Sequence, residues 1–195
     1  MSDANDKLVE YIILGPPEVG KTSIIRRYFD NVFLNYSYNT IGVDMRQKTL
    51  QAPHKDGNIK LSMYDTAGQE RYFTLVTNFI KNKECIFLCF SLASNYSFQE
   101  CKKYSHMIDF IKDNKTIVFL VGTFLDMKNN TVSDAEINEL VQKHNYKYIE
   151  VSSKSGEGIR ELFDRSLNAL MELDLFKEEN KRGLNLIKPS KSMCC

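Results

Sequence analysis

The sequence predicts an α/β domain with about six strands in a mostly parallel sheet and helices on both faces. Three observations carry this reading. Short apolar runs rich in β-formers recur along the chain, helical patterns separate the later ones, and a glycine-punctuated loop ends the first run just where a helix begins. With 195 residues, 43% of them hydrophobic and 26% charged, the chain suits one packed domain rather than two or a disordered segment.

Taken in order, Lys7 to Leu14 (KLVEYIIL) reads as a buried strand, stopped by Gly15-Pro16-Pro17. A loop follows, then a helix from about Lys21. Val43 to Ala52 and Asn58 to Asp65 flank a turn-forming Pro53-His54-Lys55-Asp56-Gly57, and Ile59, Leu61 and Met63 alternate onto one face, so the pair reads as a hairpin. Cys85 to Ser91, Thr116 to Gly122 and Lys147 to Val151 read as further strands between helical patterns near 96–112, 133–143 and 157–173. Ile159, Leu162, Phe163, Ser166, Leu167 and Leu170 form one stripe on the last helix. From about Phe176 the pattern gives way to a tail in which Lys177, Lys181, Arg182, Lys188 and Lys191 outnumber Glu178 and Glu179.

Composition excludes several classes of function. Lys and Arg total 26 against 25 Asp and Glu, a net charge of +1, so no global field draws the chain to nucleic acid. The longest apolar runs, 85–93 and 116–122, fall well short of the ~20 residues that a spanning helix needs. Residues 1–7 (MSDANDK) lack the apolar stretch of a secretory leader, and a cytoplasmic protein is expected. Cys85 and Cys89 share a strand in which four residues span ~13 Å, beyond disulfide reach. With Cys101 they lack zinc spacing and read as buried small hydrophobes. His54, His106 and His144 have no nucleophile or carboxylate constellation about them and read as surface or structural residues.

Chemistry concentrates in two motifs. Gly15-Pro16-Pro17-Glu18-Val19-Gly20-Lys21-Thr22 fits the phosphate-loop pattern G-x-x-x-x-G-K-S/T, in which backbone N–H groups wrap phosphates, the lysine neutralises them and the threonine hydroxyl meets Mg²⁺. Its place between a strand and a helix adds the positive helix end to the anion site. Asp65-Thr66-Ala67-Gly68-Gln69-Glu70 ends the second hairpin strand, where an Asp can hold the Mg²⁺ shell, a Gly can offer its N–H to a γ-phosphate and a Gln can orient water.

These residues make the chain resemble a Ras-superfamily small GTPase, and most closely the Rab branch, over about residues 8–173 plus the C-terminus. The resemblance implies a single P-loop GTPase domain at 7–175, after a flexible segment 1–6 and before a flexible basic tail 176–195. It implies bound GTP or GDP with Mg²⁺, the metal held by Thr22, Thr40 and, through water, Asp65. Phosphates would meet Gly15, Glu18, Val19, Gly20, Lys21, Thr22, Ser23, Thr40 and Gly68, with Gln69 as the catalytic residue. Base contacts would come from Phe33, Phe124, Asp126, Ser152, Ser153 and Lys154; Phe33 reads equally as the last apolar residue of the first helix. Ile41-Gly42-Val43-Asp44-Met45 resembles the Rab signature, with Met45, Tyr64 and Phe79 standing where the branch has Phe, Trp and Tyr in a patch that partners read. Cys194-Cys195 resembles the doubly geranylgeranylated Rab end. Implied partners are an exchange factor, a GTPase-activating protein, an escort or GDI-type protein, effectors and, through the lipids, endomembranes; no nucleic acid partner and a monomer are expected.

Two departures bear on chemistry. Thr123-Phe124-Leu125-Asp126 stands where the family has Asn-Lys-x-Asp, retaining the carboxylate that reads guanine but losing the Asn brace and the Lys that covers the base. In Pro16-Pro17-Glu18, Pro17 has no N–H where the γ-phosphate would lie, and Glu18 brings a negative charge into the phosphate loop. The leading expectation is a slow GTPase that switches vesicle traffic; a guanine-nucleotide-binding scaffold with little hydrolysis is the alternative. A phosphate-loop nucleoside or nucleotide kinase leaves residues 65–70 and the terminal cysteines unexplained.

Overall fold

The computed structural model describes residues 7–36, 40, 42–52, 57–66, 73–127 and 129–186. In chain order the elements are β1 (Lys7–Leu14), α1 (Lys21–Asp30), β2 (Val43–Gln51), β3 (Asn58–Thr66), α2 (Phe73–Ile80), β4 (Cys85–Ser91), α3 (Asn95–Ile111), β5 (Ile117–Thr123), α4 (Asp134–His144), β6 (Lys147–Glu150) and α5 (Ile159–Leu186). The sheet order is β2-β3-β1-β4-β5-β6, with only the β2–β3 hairpin antiparallel, so the predicted α/β architecture holds.

Strands buried on both faces need apolar side chains in both directions, which is why β1 and β4 read as continuous runs. In β1, Val9, Tyr11 and Ile13 enter one core layer, closed by Ile24 and Ile25 of α1 and by Leu162, Phe163 and Leu167 of α5. Ile12 and Leu14 point the other way, toward Phe98, Cys101 and Ile108 of α3 and Ile137 and Leu140 of α4. Tyr28 stacks on Phe163 at 3.5 Å between ring centroids, fastening α1 to α5. Cys85, Cys89 and Cys101 are fully buried free thiols, as their spacing predicts. β2 lies at the sheet edge, where Arg46 and Lys48 discourage pairing with another chain.

Two elements differ from the sequence pattern. α2 is an eight-residue helix, FTLVTNFI, and such a short apolar run with β-branched residues carries no periodicity that tells helix from strand. α5 runs to Leu186, past the expected end near 173 and into the segment taken as a flexible tail. The apolar stripe read from the sequence ends near Leu170, and the stretch beyond it is rich in Leu, Lys, Glu and Arg, residues of high helix propensity. Among the described residues no helix is long and apolar enough to cross a membrane.

The order reverses at β1, which has β3 on one side and β4 on the other. Ligands of open α/β sheets lie outside the carboxyl ends of strands at such a point. The loops after β1, β3, β5 and β6 all emerge at that end.

Candidate nucleotide site

The loop after β1 owes its path to Gly15. This residue has φ 137°, and a Cβ there would lie 2.3 Å from the Cys89 carbonyl oxygen, so only glycine lets the chain run so close to β4. The loop closes at Gly20, φ 84°, the N-cap of α1, where no side chain caps the helix and no acid occupies the first turn. The first N–H groups of α1 are therefore presented to an anion with the positive end of the helix behind them. Lys21 is buried, and its Nζ donates to Gly15 O (2.8 Å) and Pro16 O (2.7 Å), folding the ammonium back over the loop. Burial lowers its pKa to about 8, against the opposing pull of Cys89 and Asp65. Glu18 is exposed and adopts φ 62°, a conformation that side chains other than Asn and Asp rarely take.

Three oxygens converge beside Lys21. Thr22 Oγ1 donates to Asp65 Oδ2 at 2.6 Å and lies 2.9 Å from Thr40 Oγ1, which must then be the donor in that pair. Asp65 is buried at the end of β3, and its Oδ1 has no hydrogen-bond partner among the described residues. Desolvation raises the Asp65 pKa, while the Thr22 hydroxyl and Lys21 hold it down. Two hydroxyls and one carboxylate, whose Oδ1 is orphaned, form a hard-oxygen set, and they fit Mg²⁺.

The loops after β5 and β6 are locked together. Ser152, fully buried, donates from Oγ to Asp126 Oδ1 at 2.6 Å and accepts from Ser155 N at 3.1 Å, so the serine aims the carboxylate. Leu125 N donates to Val151 O at 3.1 Å. Thr123 braces inward: its Oγ1 donates to Phe90 O of β4 at 2.9 Å. Phe124 has φ 61°, an outlier for an aromatic residue, and its ring atoms Cζ and Cε2 lie 3.7 and 3.8 Å from where a Cβ on Gly20 would stand. The Phe124 ring thus faces the open side of Gly20 in the phosphate loop, where the resemblance has a lysine. Ser153 and Lys154 are tied to α1 through their carbonyls, which accept from Arg27 Nε (2.7 Å) and Nη2 (2.8 Å).

Phe33 lies beyond α1, which ends at Asp30 with Asn31 as C-cap, so its reading as the helix's last apolar residue fails; it is half-buried outside the helix. Val19 is buried, and Ser23 is half-buried in the first turn of α1. Met45 and Tyr64 are cross-strand partners, and the Tyr64 ring lies 6.4 Å from that of Phe79, so the three form one patch. Tyr64 is pinned: its hydroxyl donates to Glu10 Oε1 at 2.5 Å, and Lys83 Nζ sits 4.0 Å above its ring and 3.1 Å from Glu10 Oε2. Gly68, Gln69, Cys194 and Cys195 lie outside the described residues. The sequence reading missed Arg27, a helical arginine that carries no motif, and the side-chain role of Ser152.

The family model described as Ras family matches residues 10–172. The chain is 30% identical to Ras-related protein RabC of Dictyostelium discoideum over 192 residues, covering 96% of this chain and 97% of that one. Ras-related protein Rab-3A of Homo sapiens is 31% identical over 173 residues, 88% of this chain and 78% of its own length. Ras-related protein Rab-18 of Caenorhabditis briggsae is 29% identical over 184 residues, 93% of this chain and 90% of its own length.

The low pKa of Lys21 predicts a pH dependence for any phosphate ligand. Because the folded value lies below the unfolded one, the empty fold gains stability as pH rises from about 8 toward 10.5. A phosphate beside Nζ favours the ammonium instead, so binding takes up a proton above pH 8 and affinity falls by up to ~10-fold per pH unit there. Titration of the free protein with GDP between about pH 7 and 9 checks this; affinity that stays flat across the range refutes it.

Proposed function

The chain belongs to the Ras family, as a divergent Rab-like member, and from that premise we propose that it is a GTP/GDP-dependent switch that hydrolyses GTP slowly and regulates vesicle traffic. The observation that carries the nucleotide assignment is the convergence of Lys21, the Thr22–Thr40–Asp65 cluster and the Ser152-aimed Asp126 at one end of the sheet. In this reading Lys21 and the N–H groups from Glu18 to Ser23 hold the phosphates, and Thr22, Thr40 and Asp65 hold Mg²⁺. The metal, when bound, neutralises charge on the β- and γ-phosphate oxygens. The bonds to Gly15 O and Pro16 O occupy two of the three ammonium donors of Lys21, which leaves the third for a phosphate oxygen.

Asp126 accepts from the guanine N1–H and 2-amino groups, and adenine is rejected because its edge leaves the carboxylate without those donors. Phe124 covers a face of the base by stacking, Phe33 meets its edge, and the N–H groups of Ser152 to Lys154 meet the guanine O6. Changing Asp126 to Asn is expected to shift preference from GDP toward xanthosine diphosphate, because an amide can donate where the carboxylate only accepted. Competition binding reads this, and an unchanged guanine preference removes Asp126 from base recognition.

Gln69 orients the attacking water, and Thr40 with Gly68 engages the γ-phosphate, so their segments are ordered by GTP and released on hydrolysis. Glu18 and Pro17 in the phosphate loop support a second reading, a nucleotide-binding scaffold with little hydrolysis. Single-turnover GTP hydrolysis separates the two: Gln69→Leu is expected to slow the reaction at least ~10-fold with little change in binding. Equal rates in mutant and wild type favour the scaffold.

The patch of Met45, Tyr64 and Phe79 is where exchange factors, activating proteins and effectors would read the nucleotide state, its outline altered by all three side chains. Cys194 and Cys195 carry geranylgeranyl groups that hold the protein on endomembranes, since one chain gives only reversible binding and two give stable anchoring. Replacing both by Ser is expected to leave the protein entirely in the soluble fraction of cells, with single replacements intermediate; a double mutant still on membranes refutes the anchor.

A further inference from the structure

Arg27 is the side chain that physically joins α1 to the loop after β6, and its contacts form a pattern. Nε donates to Ser153 O at 2.7 Å and Nη2 to Lys154 O at 2.8 Å, while Nη1 reaches Asn31 O (3.2 Å) and Asn31 Oδ1 (3.3 Å). All three guanidinium nitrogens are engaged. Two consecutive carbonyls are captured by one planar fork, a geometry that an ammonium cannot copy. The turn at Gly156, φ 90°, lies against the stem, with the position of a Cβ there 3.9 Å from Arg27 Cδ.

The grip on those two carbonyls extends to the base-reading carboxylate. No described peptide bond is cis, and a trans peptide points its N–H opposite to its C=O. Holding Lys154 O toward Arg27 therefore directs Ser155 N–H away from it, and that N–H donates to Ser152 Oγ at 3.1 Å. A serine hydroxyl has one proton. Ser152 Oγ accepts from Ser155 N–H with one of its lone pairs and spends that single proton on Asp126 Oδ1 at 2.6 Å, which leaves the second carboxylate oxygen for a ligand. Held in the same way, Ser153 O directs Lys154 N–H away from α1.

We propose that Arg27 is a positioning residue for base recognition: from α1 it fixes the peptides of Ser153 and Lys154, and through Ser155 N–H and Ser152 Oγ it sets the orientation of Asp126. This inference rests on the reading of Asp126 as the guanine-selecting carboxylate. Arg27 itself touches no base.

Inosine diphosphate lacks only the 2-amino group that Asp126 is assigned to accept, so the ratio of GDP to inosine diphosphate affinity reports how well Asp126 is aimed. Arg27→Ala is expected to speed GDP release by ~10-fold and to cut that ratio by ~5-fold, with Arg27→Lys in between. Ser152→Ala is expected to cut the ratio as well, and the double variant to lose no more than the larger single loss, because both act on one relay. A purely structural role gives a different result: Arg27→Ala then lowers thermal stability and weakens both diphosphates equally, with the ratio unchanged, and that outcome overturns the proposal. So do losses that add in the double variant. If Arg27→Ala does not fold, Arg27→Lys with Ser152→Ala completes the same cycle. A wild-type protein that binds the two diphosphates equally overturns instead the assignment of Asp126 on which the inference stands.

Discussion

The close approach of Gly15 to Cys89 of β4 is the contact on which the site depends. β1 leaves the sheet between β3 and β4, and the chain must turn at once to bring α1 back over the core. With a would-be Cβ 2.3 Å from Cys89 O, there is room for backbone and nothing more. That closeness draws the loop down onto the sheet, where Lys21 can reach two of its carbonyls and Thr22 can reach Asp65 from the neighbouring strand. A wider turn would lift α1 and separate groups that the sheet otherwise delivers within hydrogen-bond distance.

The loops after β5 and β6 solve a related problem with poorer materials. A threonine and a phenylalanine occupy positions where the family resemblance has amide and ammonium groups, yet each finds a fixed place. Thr123 turns its hydroxyl to the neighbouring strand, and the Phe124 ring takes the space where a side chain on Gly20 would stand, at the expense of a left-handed backbone. Strain of this kind, of order 1–3 kcal/mol, persists only where the surroundings over-determine it. Here the Thr123 bonds to Phe90 O of β4 and from Leu92 N just beyond that strand (3.1 Å), and the Met127 N bond to Phe124 O at 2.9 Å, hold the residue from both sides.

Much of this was legible in the sequence because it depends on period and spacing. The buried strands announced themselves as apolar runs, and the phosphate loop as a string whose glycines and lysine each have a physical task. Other features were illegible for equally physical reasons. α2 is too short to show a period, and α5 continues beyond the core that made its stripe visible. Arg27 looks like any cation on a helix surface, since its partners are carbonyl oxygens 126 and 127 residues away, and main-chain acceptors leave no mark in a sequence. Ser152 was noticed for its position after β6, but its hydroxyl's choice of Asp126 is a matter of loop closure that only three dimensions define.

Tyr64 carries a consequence for how a partner would experience this surface. A tyrosine on an open sheet face can ordinarily swing about its first side-chain torsion, and a partner that needs one rotamer must freeze it on arrival, at about 0.5–1.5 kcal/mol. Here the Glu10 carboxylate grips the far end of the ring and the Lys83 ammonium lies on its face, so the motion is already spent when the chain folds. The surface around Met45 and Phe79 therefore offers a fixed relief rather than a mouldable one. Partners would be sorted by whether their contour matches that relief, and a poorly matching one could not induce the tyrosine to accommodate it without first breaking two charge-assisted contacts.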